Sequence, residues 1–174
     1  MAVLDTLFSE EQLRARIKEL GAQIRQEYGD EEILCLGVLK GSYLFLADLA
    51  RELGLNTKID FVQVSSYGDE KSSSGIVQIR KDVDSNIEGR HVLIVEDIVD
   101  TGLTLKYLKD LLSVRHPASL KVCSLLTKPE AREHEALIDY VGFEIPNAFV
   151  VGYGLDYAER FRTLPYIAIL REDD

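Results

Sequence analysis

Apolar residues recur along this chain with two different periods. Leu13, Ile17, Leu20 and Ile24 return every three or four positions and mark one face of an amphipathic helix. Ser9-Glu10-Glu11-Gln12 ahead of them is a capping-box pattern, and Gly29-Asp30 is a stop, so the helix is predicted over about residues 10–28. Phe45, Leu49 and Leu53 make a second stripe with Gly54 past its end, and Leu105, Leu108, Leu111 and Leu112 make a third. Between the stripes lie apolar runs at 33–39 and 92–95 and a mainly apolar stretch at 120–126. Such runs suit strands covered on both faces, as in a parallel sheet. Residues 59–64 and 76–80 alternate instead, which predicts half-exposed strands. A last strand is expected at 166–170, followed by a frayed acidic tail at 171–174, and a polar helix is expected to start at Pro129.

Strands alternating with helices predict an α/β fold with a mostly parallel central sheet flanked by helices. The chain is expected to be a single domain over 1–174, with a core at about 31–145. The N-terminus and residues 146–174 are expected to form a small hood over the C-terminal edge of the sheet.

The apolar run at 92–95 leads straight into Glu96 and Asp97, and then into Asp100-Thr101-Gly102 ahead of the third helical stripe. Acidic groups therefore stand at the end of a buried strand, beside a helix N-terminus, where open α/β sheets bind ligands. The turn suits a phosphate: Gly102 permits a tight backbone, the helix start offers free N–H groups, and Thr101 and Thr104 add hydroxyl donors. The carboxylates would repel phosphate, so they must serve ribose hydroxyls or a metal that holds them. A plain strand-to-helix turn, with Asp100 or Thr101 as N-cap, would explain one acid but not Glu96, Asp97 and Asp100 together. Lys40-Gly41-Ser42 is a second strand–glycine turn–helix unit, either another anion site or a turn carrying a solvated lysine. The Ser- and Gly-rich stretch at 65–75 is either a hairpin tip or a lid that excludes water.

Composition narrows the field. The chain has 174 residues, 46% hydrophobic and 29% charged, as a globular protein should. Its net charge is −10, and no basic cluster fits it for nucleic acid. Cys35 and Cys123 sit in apolar runs and read as buried free thiols, which suits a reducing cytoplasm. No signal peptide and no membrane-spanning run are visible.

The stretch from 92 to 105 resembles the phosphoribosyl pyrophosphate-binding motif of the type I phosphoribosyltransferases. In the order of its other motifs the chain looks most like the hypoxanthine-guanine members. That resemblance implies transfer of phosphoribosyl to a 6-oxopurine, with release of pyrophosphate, in purine salvage. It implies that Glu96 and Asp97 face the ribose, that Asp100, Thr101, Gly102, Leu103 and Thr104 hold the 5′-phosphate, and that Asp100 manages the purine N7 proton. Lys40, Gly41 and Arg162 would meet pyrophosphate, with the Leu39-Lys40 peptide often cis. Lys128 would contact the purine O6, Phe149 would stack on the base, and the Val150 backbone would read its edge. Asp156 would bind Mg²⁺ near the base, with Glu96 and Asp97 also on the metal side. Ser66 and Tyr67 would fold over the site as part of the lid, and relatives of this kind are homodimers or homotetramers. Without the resemblance, Lys40 and Lys128 stay open between a binding role and a surface lysine, while Phe149 reads as core and Arg162 as a surface charge.

Three other readings compete. A receiver- or phosphatase-like domain would also place carboxylates at a strand end, but the spacing from Asp97 to Asp100 lacks the Asp-x-Asp pattern. A regulator binding RNA or DNA would need a basic face. A pyrimidine transferase of the same superfamily would not need the segment from Phe149 to Asp156.

Overall fold

A computed structural model of the chain describes residues 2–66 and 76–172. Tyr67 and the rest of the expected lid lie outside them, and Ser66 is described only as the last residue of a strand.

The elements run β1 (Ala2–Phe8), α1 (Glu10–Tyr28), β2 (Ile33–Leu39), α2 (Tyr43–Leu53), β3 (Thr57–Ser66), β4 (Val77–Lys81), β5 (His91–Val99), α3 (Leu103–Ser113), β6 (Ser119–Thr127), β7 (Tyr140–Glu144), β8 (Val150–Val151) and β9 (Ile167–Glu172). Six strands form the central sheet in the order β4-β3-β2-β5-β6-β7. Its strands pair in parallel except β3 with β4. The sheet is therefore mostly parallel, as the apolar runs predict.

Alternate residues of those strands feed two apolar layers. Ile33, Cys35, Leu93, Val95 and Cys123 pack with Leu13, Ile17, Leu20 and Ile24 of α1 and Phe45 and Leu49 of α2. Leu34, Leu36, Val92, Ile94 and Val122 pack with Leu105, Leu108 and Leu112 of α3 on the other face. Both cysteines are free and buried, and burial pushes the Cys35 thiol up to about 12. The capping box closes as expected: Ser9 accepts from the Gln12 N–H and the Gln12 side chain accepts from the Ser9 N–H.

A second sheet, β1-β9-β8, is built from the stretches expected to form the hood and is called the hood. β1 pairs antiparallel with β9, Ala2 opposite Glu172, and Arg171 reaches Asp5 at 2.8 Å. The expected frayed tail is thus strand as far as Glu172, because a partner strand from the other end of the chain satisfies its backbone. The hood rests on the core through Val150, Tyr153, Leu155 and Ile167, which share the α1–α2 layer. Phe8 also stacks on Phe143 at 4.0 Å.

Two further expectations are corrected. β5 does not stop at Val95: Glu96, Ile98 and Val99 still pair with β6, so the carboxylates belong to the strand. No helix follows Pro129, only a 3-10 turn at Pro129–Ala131. The N–H groups of Glu133 and His134 beyond it donate to the Thr101 carbonyl, a tertiary partner that replaces a helical one.

Candidate active site

β2, β5 and β6 run in parallel, so Leu39, Val99 and Thr127 end at one edge of the sheet. The loops that follow them, starting at Lys40, Asp100 and Lys128, therefore converge. A cavity of about 240 Å³ opens there, lined by Leu39, Glu96, Asp97, Asp100, Thr101, Gly102 and Thr104 among others.

The acids lie deepest. Glu96 is 5% exposed. Burial first, and then the charge of Asp97, push its carboxyl well above the usual carboxylate range. Burial also lifts Asp97, to about 6, against the pull of the Ile98 N–H, which donates to it at 2.7 Å, and of Arg162. Two adjacent carboxyls so placed are held back from ionising together, and a cation beside them would reverse that. Asp97 lies against the loop after β2. A Cβ on Gly41 would come within 1.8 Å of its Oδ2, so only glycine lets that backbone approach. The Leu39–Lys40 peptide in this loop is cis.

The expected phosphate turn is open. Gly102 caps α3 in the left-handed region, at φ 89°, and as a glycine has no side chain to bond the first turn. Thr101 Oγ1 accepts from the Leu103 N–H at 3.3 Å. Neither Asp100 nor Thr101 is the N-cap, so the helix start remains available to an anion. Asp100 instead extends its carboxylate towards Lys128 Nζ, 3.6 Å away, in a pair where Lys128 is buried and Asp100 half exposed.

Lys40, Asp156 and Arg162 gather on the hood side. Arg162 donates to the Gly154 carbonyl at 2.7 Å and stands 3.4 Å from Asp156. Lys40 and Arg162 share Glu159, at 3.4 and 3.1 Å. The two lysine and arginine cations expected at pyrophosphate are thus brought together, and Glu159 between them was not singled out by sequence. Among the described residues, no three Asp, Glu, His or Cys side chains gather tightly enough to enclose a metal. Glu96, Asp97 and Asp156 are therefore not a closed metal cage.

Phe149 is half exposed, with Tyr157 edge-on to its ring at 5.7 Å. Leu170 donates to the Phe149 carbonyl at 2.9 Å, and Val150 faces Ile169. Bonded and non-bonded pairs alternate in an antiparallel ladder, so the Val150 N–H and C=O turn away from β9. β8 is an edge strand, and those groups face its open side.

Sequence reasoning missed Arg132. Its guanidinium bonds the Asp100 carbonyl, the Ala136 carbonyl and Thr127 Oγ1. It sits in a run of alternating charges that looks like any solvated surface, and no local signal marks it.

A model of the phosphoribosyl transferase domain matches residues 4–158. The hypoxanthine-guanine phosphoribosyltransferase of Bacillus subtilis is 52% identical over 95% of this chain and 92% of its own length. The hypoxanthine phosphoribosyltransferase of Haemophilus influenzae is 51% identical, covering 94% and 93%. A crystal structure of a hypoxanthine-guanine phosphoribosyltransferase from Bacillus anthracis superposes with a TM-score of 0.91 at 50% identity, over 95% of this chain and 97% of that one. A hypoxanthine phosphoribosyltransferase from Staphylococcus aureus gives 0.92 at 47%, over 96% and 91%.

Proposed function

The chain belongs to the phosphoribosyl transferase domain family, and on that premise we propose that it transfers phosphoribosyl from phosphoribosyl pyrophosphate to hypoxanthine or guanine. The products are the nucleoside monophosphate and pyrophosphate, the chemistry of purine salvage. The observation that carries the choice of base is the Asp100–Lys128 pair. A 6-oxopurine presents O6 and N7 side by side on one edge. Lys128 can only donate, so it takes O6 and gives nothing to a 6-amino group. Asp100 can accept, so it takes a proton from N7.

The sugar lies across the acids. The Thr101–Thr104 turn holds the 5′-phosphate, Glu96 and Asp97 face the ribose hydroxyls, and Lys40, Gly41 and Arg162 hold the pyrophosphate. Phe149 covers the flat face of the base, and the outward Val150 peptide groups meet its far edge. The base nitrogen N9 bonds to the sugar C1, and the bond from C1 to the pyrophosphate oxygen breaks with its electrons leaving on pyrophosphate. Asp100 receives the N7 proton as the positive charge of the base is relieved. Glu96 and Asp97 stand where the sugar ring gains positive character.

The donor set fits Mg²⁺. Carboxylates that do not close into a cage would leave most coordination to substrate oxygens and water, which is the habit of this ion. Glu96, Asp97 and Asp156 would hold it, directly or through water. When bound, it neutralises the pyrophosphate leaving group. Subunit association as a homodimer or homotetramer belongs to the same proposal and rests on the family resemblance. No helix among the described residues is long and apolar enough to cross a membrane.

A spectrophotometric assay of the purified protein with phosphoribosyl pyrophosphate and each of hypoxanthine, guanine, xanthine and adenine, with and without Mg²⁺, tests this reading. Hypoxanthine or guanine should be converted and adenine left untouched, with turnover lost when the metal is chelated. Conversion of adenine at a comparable rate would overturn the roles given to Asp100 and Lys128.

A further inference from the structure

The turn at Asp100, Thr101 and Gly102 is held from behind. Arg132 donates from Nε to the Asp100 carbonyl at 3.2 Å. Its two terminal nitrogens donate to the Ala136 carbonyl at 3.3 Å and to Thr127 Oγ1 at 2.5 Å. One residue along the turn, the Thr101 carbonyl accepts from the Glu133 and His134 N–H groups, each at 2.9 Å. The bracing segment is seated closely, because a Cβ on Gly102 would meet the His134 carbonyl at 2.8 Å and Arg132 Cδ at 2.9 Å.

The direction of these bonds matters more than their number. A trans peptide is planar and points its C=O and the following N–H in opposite directions. Fixing the Asp100 carbonyl towards Arg132 therefore turns the Thr101 N–H the other way. Fixing the Thr101 carbonyl towards Glu133 and His134 does the same to the Gly102 N–H. Both amides then face the cavity side of the turn, and neither has a protein acceptor among the described residues. Successive N–H groups aimed into a concavity make an anion site. Only an arginine serves this bracing position, because its planar fork reaches all three acceptors at once, whereas a lysine ammonium is a single point.

We propose that Arg132 is a positioning residue for the phosphate end of the substrate. It acts by aiming the Thr101 and Gly102 amides at the 5′-phosphate. Through Thr127, the neighbour of Lys128, it also fixes the distance between that turn and the base. The inference rests on the assignment of the turn as the 5′-phosphate site, and the test separates the two.

Calorimetric titration with inosine 5′-monophosphate and with inosine, which lacks only the phosphate, reads the contribution of the turn. Wild type should prefer the monophosphate. Arg132→Gln should weaken monophosphate binding about tenfold, on the scale of one charge-assisted hydrogen bond, and leave inosine binding unchanged. Arg132→Lys should lose as much, since charge alone does not restore the brace. Arg132→Gln binding the monophosphate as tightly as wild type, or losing both ligands in equal proportion, would overturn the role of Arg132. A wild type with no preference for the monophosphate would instead overturn the assignment of the turn itself. If Arg132→Gln does not fold, Thr127→Val removes one of the three anchors and carries the same comparison. Its monophosphate preference should fall, and a full preference would overturn the proposal.

Discussion

At the scale of the residue, Asp100 and Gly41 show how differently chemistry and packing announce themselves. Asp100 stands at the surface of the turn, and among the described residues its close ion-pair partner is Lys128. It packs against little, so Asp100→Asn should melt near wild type. As an amide it can no longer take the N7 proton, and turnover should fall by roughly 10²–10⁴-fold, the usual worth of a general base. Steady-state turnover measured beside a thermal melt decides it, and an Asn variant with normal melting and near-normal turnover would take Asp100 out of the reaction. The acids at 96, 97 and 100 were legible because carboxylates at the end of an apolar strand break the hydrophobic pattern and need an explanation. Gly41 was legible as a turn, but not as the glycine that admits Asp97, since that contact joins residues far apart in sequence. Arg132 and Glu159 were invisible for the same reason. Each matters through carbonyls or cations brought to it by other loops, and each sits in a polar stretch whose charges carry no period.

At the scale of the element, Asp60 shows a carboxylate whose work is structural. It lies on β3, nearly buried, and accepts from the Phe61 N–H at 2.7 Å, the Asp84 N–H at 3.1 Å and the Ser85 N–H at 2.9 Å. Burial alone would raise its pKa, but the N–H donors of Ser85 and Phe61, with the Ser85 hydroxyl and the Lys81 charge, together outweigh it and hold the carboxyl below its ordinary value. A group depressed on folding adds stability that is complete above its unfolded pKa, about 3.9, and is lost as pH falls through the lower folded value. Asp60→Asn should therefore cost about 1–3 kcal/mol at pH 7, because one oxygen becomes a donor facing donors. The gap in melting temperature between the two proteins should shrink as pH is lowered below about 4. A gap that stays constant from pH 7 to pH 3 would assign the loss to packing instead. Periodicity read the helices and the buried strands well because each has a full face against the core. It failed where neighbours set the backbone: β5 runs on through its acids beside β6, and the segment after Pro129 gives its N–H groups to Thr101.

At the scale of the whole molecule, the division of labour follows the two sheets. The central sheet ends in the loops proposed for the sugar phosphate, and the hood carries Phe149 and Val150, proposed for the base. The stacked rings of Phe8 and Phe143 join hood to core. Phe8→Ala should cost roughly 1–3 kcal/mol, between the worth of an aromatic pair and that of a fully buried ring. It should also raise KM for the purine more than for phosphoribosyl pyrophosphate. Equal rises in both would mean that hood and core do not divide the substrates. The last strand, expected at 166–170, is β9, but the strand at the N-terminus and its pairing with β9 were not foreseen. β1 and β9 come from opposite ends of the chain, and no local pattern states that they pair.

The Val150 peptide groups are free for the proposed base edge because, among the described residues, no strand pairs with them on that side. Unpaired strand edges are also where separate protein chains zip together, and proteins guard against this by keeping such edges short. β8 is only Val150–Val151. An edge of that length offers room beside a flat ring yet too few rungs for a stranger's backbone, so the brevity that suits a small ligand also keeps another chain from extending the sheet at β8.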